Sequence, residues 1–262
     1  MRTGSVEASP QSSMVEESQR KAARAAGLAF LISFALLAYG EFGIRRSLIS
    51  GDPILGFVDA AETSRNILEQ PSLFRLNIVL ILLWCVGMTV VLAAFYVILH
   101  QFGRTIALVA AVSQVLFVGA WALGAARLLE TLRLLNGVGE LRSFTEDQVR
   151  TLAALPLSIF WDHYYIGLFF WAVSTTLFSY LWFKSRYIPR ALAVFGIVSG
   201  ALATLTALSA FASIADPAFS NDTSPWWLSL DTPLAIFQIA LSVLLLVKPL
   251  RLTAVPATQA QA

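Results

Sequence analysis

The stretch that decides the fold is YYIGLFFWAVSTTLFSYLWF, residues Tyr164 to Phe183, a run of 20 residues without a charge. At about 1.5 Å per residue, an α-helix of this length spans roughly the 30 Å hydrocarbon core of a bilayer. The turn KSRYIPR (184–190) follows, and a second apolar run begins at Ala191. Three cations in that seven-residue turn favour a cytoplasmic location for it. The hairpin therefore predicts a membrane protein and the orientation of two of its helices.

The composition of the whole chain agrees with a lipid environment. Of its 262 residues, 57% are hydrophobic and only 13% are charged, whereas a soluble domain carries about 25% charged residues. A formal net charge of +2, without a basic cluster interleaved with aromatic residues, argues against a nucleic-acid partner. The single cysteine, Cys85, lies inside an apolar run, and we interpret it as a small buried hydrophobic residue.

The spacing of the apolar runs predicts an all-α fold: a polytopic integral membrane helical bundle of six transmembrane helices. The predicted helices cover about residues 22–41, 76–99, 105–127, 160–183, 189–214 and 228–247. They form a single transmembrane domain over residues 21–250. A polar, Ser- and Glu-rich segment (1–20) is predicted to be a disordered cytoplasmic tail, and residues 251–262 a loose C-terminal tail.

The two long loops on the predicted outer side each contain the pattern of a short interfacial helix. In the first loop, apolar residues recur at three- and four-residue spacing after Asp52-Pro53, a plausible helix start. In the second, Thr145 and Gln148 have the spacing of a capping box, and Pro156 is expected to end the helix after Leu155.

Six spans place both termini on the same side of the membrane. The cations in short loops and flanks share that side, which the positive-inside rule assigns to the cytoplasm. The predicted location is therefore the cell (inner or plasma) membrane, with both termini cytoplasmic.

The central hairpin resembles a known family. Tyr180-Leu181, followed by the turn with Tyr187, Pro189 and Arg190, is similar to the signature of domain-of-unknown-function family 4386, which consists of prokaryotic multi-pass membrane proteins.

Two upstream segments, Ala22 to Gly27 and Asn66 to Leu76, also resemble this family, so the similarity covers roughly residues 22–246. Ser179 and Arg186 stand where the family often has glycine, so the chain resembles a divergent member. The resemblance implies a membrane location and about six helices, and it implies no activity.

Charged residues near the membrane collect in one layer on the predicted outer side. They are Glu41, Arg75, Arg127, Glu130, Asp162, His163 and Asp231. One interpretation is interfacial anchoring of loops and helix ends. The alternative is a polar mouth that binds a small molecule, in which Asp231 is buried and Arg127 is its expected partner.

The polar residues that are predicted to lie at the bilayer midplane are all uncharged. We interpret Gln114 and Gln238 as hydrogen-bonding groups that hold helices together, with a bond to each other as one arrangement. Gly196 and Gly200 form a GxxxG spacing, which we interpret as packing inside the bundle, with homodimerisation as the alternative.

The sequence has no Ser/His/Asp set, no GxSxG motif and no phosphate-binding loop. Only two histidines exist, His100 and His163, and they start on opposite faces of the predicted membrane. We therefore predict no catalytic residues, no metal site and no cofactor.

Three classes of function follow from these observations. The first is a non-enzymatic scaffold, or a subunit that binds lipid or a protein partner, with the bilayer and a membrane protein or second copy as partners. The alternative is a small-molecule transporter or receptor with a polar mouth at the outer face. The third, an enzyme at the outer leaflet with His163 as general base, lacks an accompanying nucleophile.

Overall fold

The computed structural model describes residues 10–52, 57–137, 143–213 and 231–247. Eight α-helices account for most of them: α1 (Pro10–Ala38), α2 (Arg46–Leu48), α3 (Ala60–Glu69), α4 (Pro71–Leu99), α5 (Arg104–Leu135), α6 (Glu146–Ser185), α7 (Arg190–Ser213) and α8 (Thr232–Val247). A π-helical segment, Tyr39–Arg45, joins α1 to α2, and a 3-10 turn, His100–Phe102, precedes α5. Strands β1 (Gly51–Asp52) and β2 (Phe57–Val58) form a minimal antiparallel pair. The all-α fold is confirmed.

Five helical segments are long and apolar enough to cross a membrane. They are Glu17–Leu48, Pro71–Phe102, Arg104–Leu135, Glu146–Ser185 and Arg190–Ala212. The sixth predicted helix is α8, which has 16 described residues and extends about 24 Å, short of a full bilayer core. Its predicted start at residue 228 lies outside the described residues, as do the loop before it and the C-terminal tail. The described residues thus form a membrane-type helical bundle with five helices long enough to cross a membrane and one shorter apolar helix.

The six long helices form a closed ring. In order around it, α1 contacts α4, α4 contacts α5, α5 contacts α6, α6 contacts α7, α7 contacts α8, and α8 returns to α1. Small residues permit these close approaches: Gly87 of α4 faces Ser33 of α1, and Gly27 of α1 lies against the backbone of Ser242 in α8. We call the end of the ring where α1 and α5 finish the Arg45 end, and the opposite end the Tyr187 end.

Helix α6 differs from the prediction because it continues through Pro156. The capping box of Thr145 and Gln148 is confirmed at its start, with both reciprocal hydrogen bonds present. The helix does not stop at Leu155 but runs to Ser185, since its long interface with α5 outweighs the backbone hydrogen bond that proline removes. The Thr131 hydroxyl of α5 donates to the Ala153 carbonyl, 3.0 Å away, in the turn next to the proline. The segment predicted as the second outer loop therefore supplies the first turns of a helix long enough to cross a membrane, not a separate interfacial helix.

The other boundaries shift by a few residues. Helix α1 begins at Pro10, inside the predicted tail, and α4 begins at Pro71, five residues before the predicted start at 76. The amphipathic helix of the first loop is α3, which is capped by Asp59 through its side chain and starts after the strand pair, not directly after Asp52. Its buried residue Ile67 faces the bundle, because α3 packs against α4, α5 and α6.

Candidate functional site

A buried ion pair lies where α1 ends. Arg45 Nη1 donates to Glu41 Oε2 at 3.1 Å, and the two side chains are only 4% and 13% exposed. Both residues belong to the π-helical segment, in which the Arg46 amide bonds back to the Glu41 carbonyl. A π-turn widens the helix and changes which side chains share a face, and such segments are frequent at functional sites. Here the turn buries Gly40, Ile44 and Arg45 together.

Aromatic rings from α6 cover the Arg45 guanidinium. Its central carbon lies 3.8 Å from the centre of the Phe160 ring and 5.2 Å from that of Trp161. A planar, weakly hydrated guanidinium stacks well on such faces, and the attraction grows when water is excluded. The two rings thus hold the charged group of Arg45 in one orientation.

Several polar atoms of this region have no hydrogen-bond partner among the described residues. They are Arg45 Nε and Nη2, Glu41 Oε1, both amide atoms of Asn77, and Trp161 Nε1. Asn77 is fully buried on α4 and packs against Gly40, where an added Cβ would lie 2.7 Å from Asn77 Oδ1. Unmade hydrogen bonds in a dry interior are costly, and native proteins keep few of them.

We call Glu41, Arg45, Asn77, Phe160 and Trp161 the Arg45 cluster. Its free atoms include donors and acceptors, so it has the hydrogen-bonding capacity of a binding site. A carboxylate or phosphate group matches the free edge of the guanidinium, because Nε and Nη2 point two N–H bonds in parallel.

Of the predicted outer polar residues, only Glu41 enters this cluster. Arg127 and Glu130 pair with each other at 2.8 Å, but their side chains are 40% and 47% exposed. Arg75 and Asp162 are exposed as well. His163 is half-buried, and its Nδ1 lies 2.8 Å from the Ile159 carbonyl oxygen of its own helix.

The expected pairing of Asp231 with Arg127 is wrong. Asp231 accepts a hydrogen bond from the Tyr164 hydroxyl of α6. Helix α8, which begins next to Asp231, neighbours α7 and α1 in the ring and does not neighbour α5, which carries Arg127.

Sequence reasoning missed Arg45 and Asn77. Asn77 lies in the second predicted helix and Arg45 in the predicted loop after the first helix, so local sequence patterns single out neither. A usable signal was present, because Glu41 and Arg45 are four residues apart at the end of an apolar run, the spacing of an ion pair along a helix.

The signature turn organises the Tyr187 end. The Tyr187 hydroxyl accepts a hydrogen bond from Gln101 Nε2 at 2.8 Å and donates to Gln19 Oε1 at 3.4 Å. Arg186 adopts the left-handed conformation (φ 58°) that ends α6. The Pro189 carbonyl accepts from the amides of Leu192 and Ala193, which starts α7.

Two further cations stabilise this end. Lys184 Nζ donates to the Phe102 carbonyl at 2.7 Å, and the Arg190 guanidinium carbon lies 5.7 Å from the centre of the Phe183 ring. In addition to these two contacts, the hydrogen bonds of the Tyr187 hydroxyl link α1, the turn before α5 and the start of α7.

The two glycines of the GxxxG spacing face the interior of the bundle. A Cβ added at Gly196 would lie 2.3 Å from Ser179 Oγ, and one added at Gly200 would lie 2.2 Å from Thr176 Oγ1. The structure therefore uses both residues in the α6–α7 contact.

Metal binding would need several ligating side chains in one place. Within residues 10–52, 57–137, 143–213 and 231–247, no group of three or more His, Cys, Asp or Glu side chains converges.

The ring of apolar helices, with five segments able to cross a membrane, defines a helical membrane protein. Residues 25–248 match the family described as Domain of unknown function (DUF4386), so the chain belongs to that family. No curated protein and no solved structure gave a significant match to the chain.

Proposed function

We propose that this protein is a non-enzymatic membrane protein that binds a small molecule at the Arg45 cluster, as a receptor or a transporter does. One observation carries the proposal: Arg45 is buried and presents Nε and Nη2 without a protein partner among the described residues. A buried guanidinium with an unused edge is expensive to keep, and ionisable groups inside membrane bundles are commonly functional.

The chemistry of the cluster defines the ligand class. The free guanidinium edge suits a carboxylate or phosphate, bound through two parallel hydrogen bonds. Glu41 Oε1 and the Asn77 amide offer an acceptor and a donor for a neighbouring hydroxyl or amine. The ligand is therefore a small molecule that carries an acidic group beside a hydrogen-bond donor.

The same residues support a binding role over a catalytic one. Arg45 and Glu41 neutralise each other, Asn77 is not ionisable, and Phe160 and Trp161 supply apolar faces. None of these five side chains forms the nucleophile–base pair that covalent catalysis uses.

The proposed location is the cell membrane with both termini in the cytoplasm. The cation-rich turn at residues 184–190 supports this orientation, because it joins two spanning helices by a short loop. The Arg45 end then faces outward.

A second candidate is a membrane subunit that binds lipid or a protein partner, including a second copy of the chain. Its supporting observation is Gly119 on the outer face of α5, where an added Cβ would meet nothing within 4 Å. A partner helix could approach the backbone closely there.

The test is purification from the native membrane in mild detergent, followed by native mass spectrometry. Wild type should carry one small acidic molecule per chain. The double variant Glu41→Gln/Arg45→Met should lose it, because the binding edge is gone while no unpaired charge is left behind. Arg127→Met is the matched control and should keep the molecule, since its ion pair is exposed.

Two outcomes contradict the proposal. Equal retention by the folded double variant would place the ligand elsewhere. A wild-type preparation that carries only lipid or a protein partner would favour the second candidate.

A further inference from the structure

A cavity lies at the centre of the helical ring, well away from the Arg45 cluster. Residues of α4, α5, α6 and α8 line it, and all of them are uncharged. Its polar lining residues are Gln114, Ser174, Thr175, Ser179 and Gln238, and Trp182 also lines it.

Aromatic side chains separate this cavity from both ends of the bundle. Toward the Arg45 end, the ring of Phe117 stacks on that of Trp171 at 5.1 Å and meets Trp84 edge-on at 5.4 Å. Toward the Tyr187 end, Phe95 packs edge-on against Phe178 and Trp182, each at 5.6 Å. The cavity is therefore a compartment of mixed apolar and polar lining between two aromatic layers.

Polar atoms in this compartment lack hydrogen-bond partners among the described residues. They are Ser174 Oγ, Trp182 Nε1 and Gln238 Oε1. Ser179 Oγ is also unpartnered, but it lies against Gly196 of α7. The Gln238 Nε2 atom donates to Thr175 Oγ1 at 3.2 Å, so α8 bonds to α6 and not to Gln114 of α5. That bond places the free Gln238 Oε1 beside the serine-bearing face of α6.

The volume that the centre of a water-sized sphere can occupy in the cavity is about 10 Å³. About 10–15 Å³ of such volume is the least that holds one water molecule, and a buried water makes about three hydrogen bonds. The unpartnered groups include an acceptor, Gln238 Oε1, and the Ser174 hydroxyl, which both donates and accepts. Charged ligands are disfavoured, because no ionisable side chain lines the compartment.

We propose that the central cavity is a hydration site, in which one ordered water molecule bridges Gln238 of α8 to the Ser174 hydroxyl of α6. The water satisfies atoms that the protein leaves unpaired and ties together two helices that are not neighbours in the ring.

The sign of a stability change tests this site. The variant Ser174→Ala removes the hydroxyl that faces the water, and its thermal unfolding midpoint is measured in detergent. With water bound, the lost hydroxyl removes a satisfied hydrogen bond, so the midpoint should fall by about 2–4 °C. In a dry cavity the same change removes an unpaired polar atom, and the midpoint should stay or rise.

Ser199→Ala is the matched control. Ser199 is fully buried, and its hydroxyl has no partner among the described residues, but it does not line the cavity. Its loss should leave the midpoint unchanged or raise it. If Ser174→Ala is no less stable than this control, the hydration site is wrong.

A density map of the wild-type protein at about 2 Å resolution gives an independent answer. The proposal requires a single water-sized peak within hydrogen-bonding distance of Gln238 Oε1. An empty cavity, or a larger peak that indicates another molecule, contradicts it.

Discussion

The two ends of the bundle both bury polar side chains, but they differ in how those side chains are satisfied. At the Tyr187 end, the Tyr187 hydroxyl bonds to Gln101 and Gln19, and Lys184 bonds to a backbone carbonyl. At the Arg45 end, the buried pair of Glu41 and Arg45 makes one hydrogen bond and leaves three side-chain atoms without a partner in the described part of the chain.

This difference favours a structural role for the Tyr187 end and supports the proposed binding role of the Arg45 end. A fully bonded network rigidifies a fold, whereas each unsatisfied buried group needs an explanation, such as a bound ligand or water. The turn that resembles the family signature therefore connects helices, and the function is expected at the opposite end of the ring.

The largest effect is expected from Arg45→Met. The substitution leaves the Glu41 carboxylate buried without its partner, which should lower the free energy of unfolding by about 3–5 kcal/mol. Unfolding of the purified protein in detergent measures it. The double variant Glu41→Gln/Arg45→Met should recover most of the loss, and Arg127→Met, in an exposed pair, should cost less than about 1 kcal/mol. If Arg45→Met and Arg127→Met lowered the free energy of unfolding equally, the predicted difference between a buried and an exposed ion pair would be wrong.

A smaller effect is expected at the α6–α7 contact, which connects the two ends. Gly200→Ala places a methyl group against Thr176 and the Ala172 carbonyl, and overpacking of this kind costs about 1–3 kcal/mol. Gly119→Ala is the control, because open space surrounds it, and alanine there should stabilise the helix by about 0.5–1 kcal/mol. The unfolding midpoints of the two variants should therefore move in opposite directions.

The smallest effect is expected from Tyr187→Phe. Loss of the hydroxyl removes its hydrogen bonds to Gln101 and Gln19 and should cost about 1–2 kcal/mol. Retention of the small molecule should not change, since the Arg45 cluster is untouched. Tyr180→Phe, on an exposed tyrosine, controls for the substitution itself. If Tyr187→Phe released the ligand, the two ends would not have separate roles.

Much of the fold could be predicted from local patterns. Long uncharged runs identified the helices, and the Thr145–Gln148 capping box marked the start of α6. The continuation of α6 through Pro156 could not be predicted, because it depends on the interface with α5, which is a tertiary property.

The candidate site was harder to predict for the same reason. Local hydropathy treats Arg45 as a loop charge, but a π-turn and the ring of Phe160 bury it. The partner of Asp231 depends on the order of helices around the ring, which the linear sequence does not specify. Glu41 alone was identified, because it marks the end of an apolar run.

The most direct test of the central claim is an experimental structure of the wild-type protein purified from its native membrane. The account predicts non-protein density within hydrogen-bonding distance of both Nε and Nη2 of Arg45, shaped as a carboxylate or phosphate group. If protein side chains or backbone carbonyls occupy both positions instead, Arg45 is a structural residue and the binding proposal is wrong.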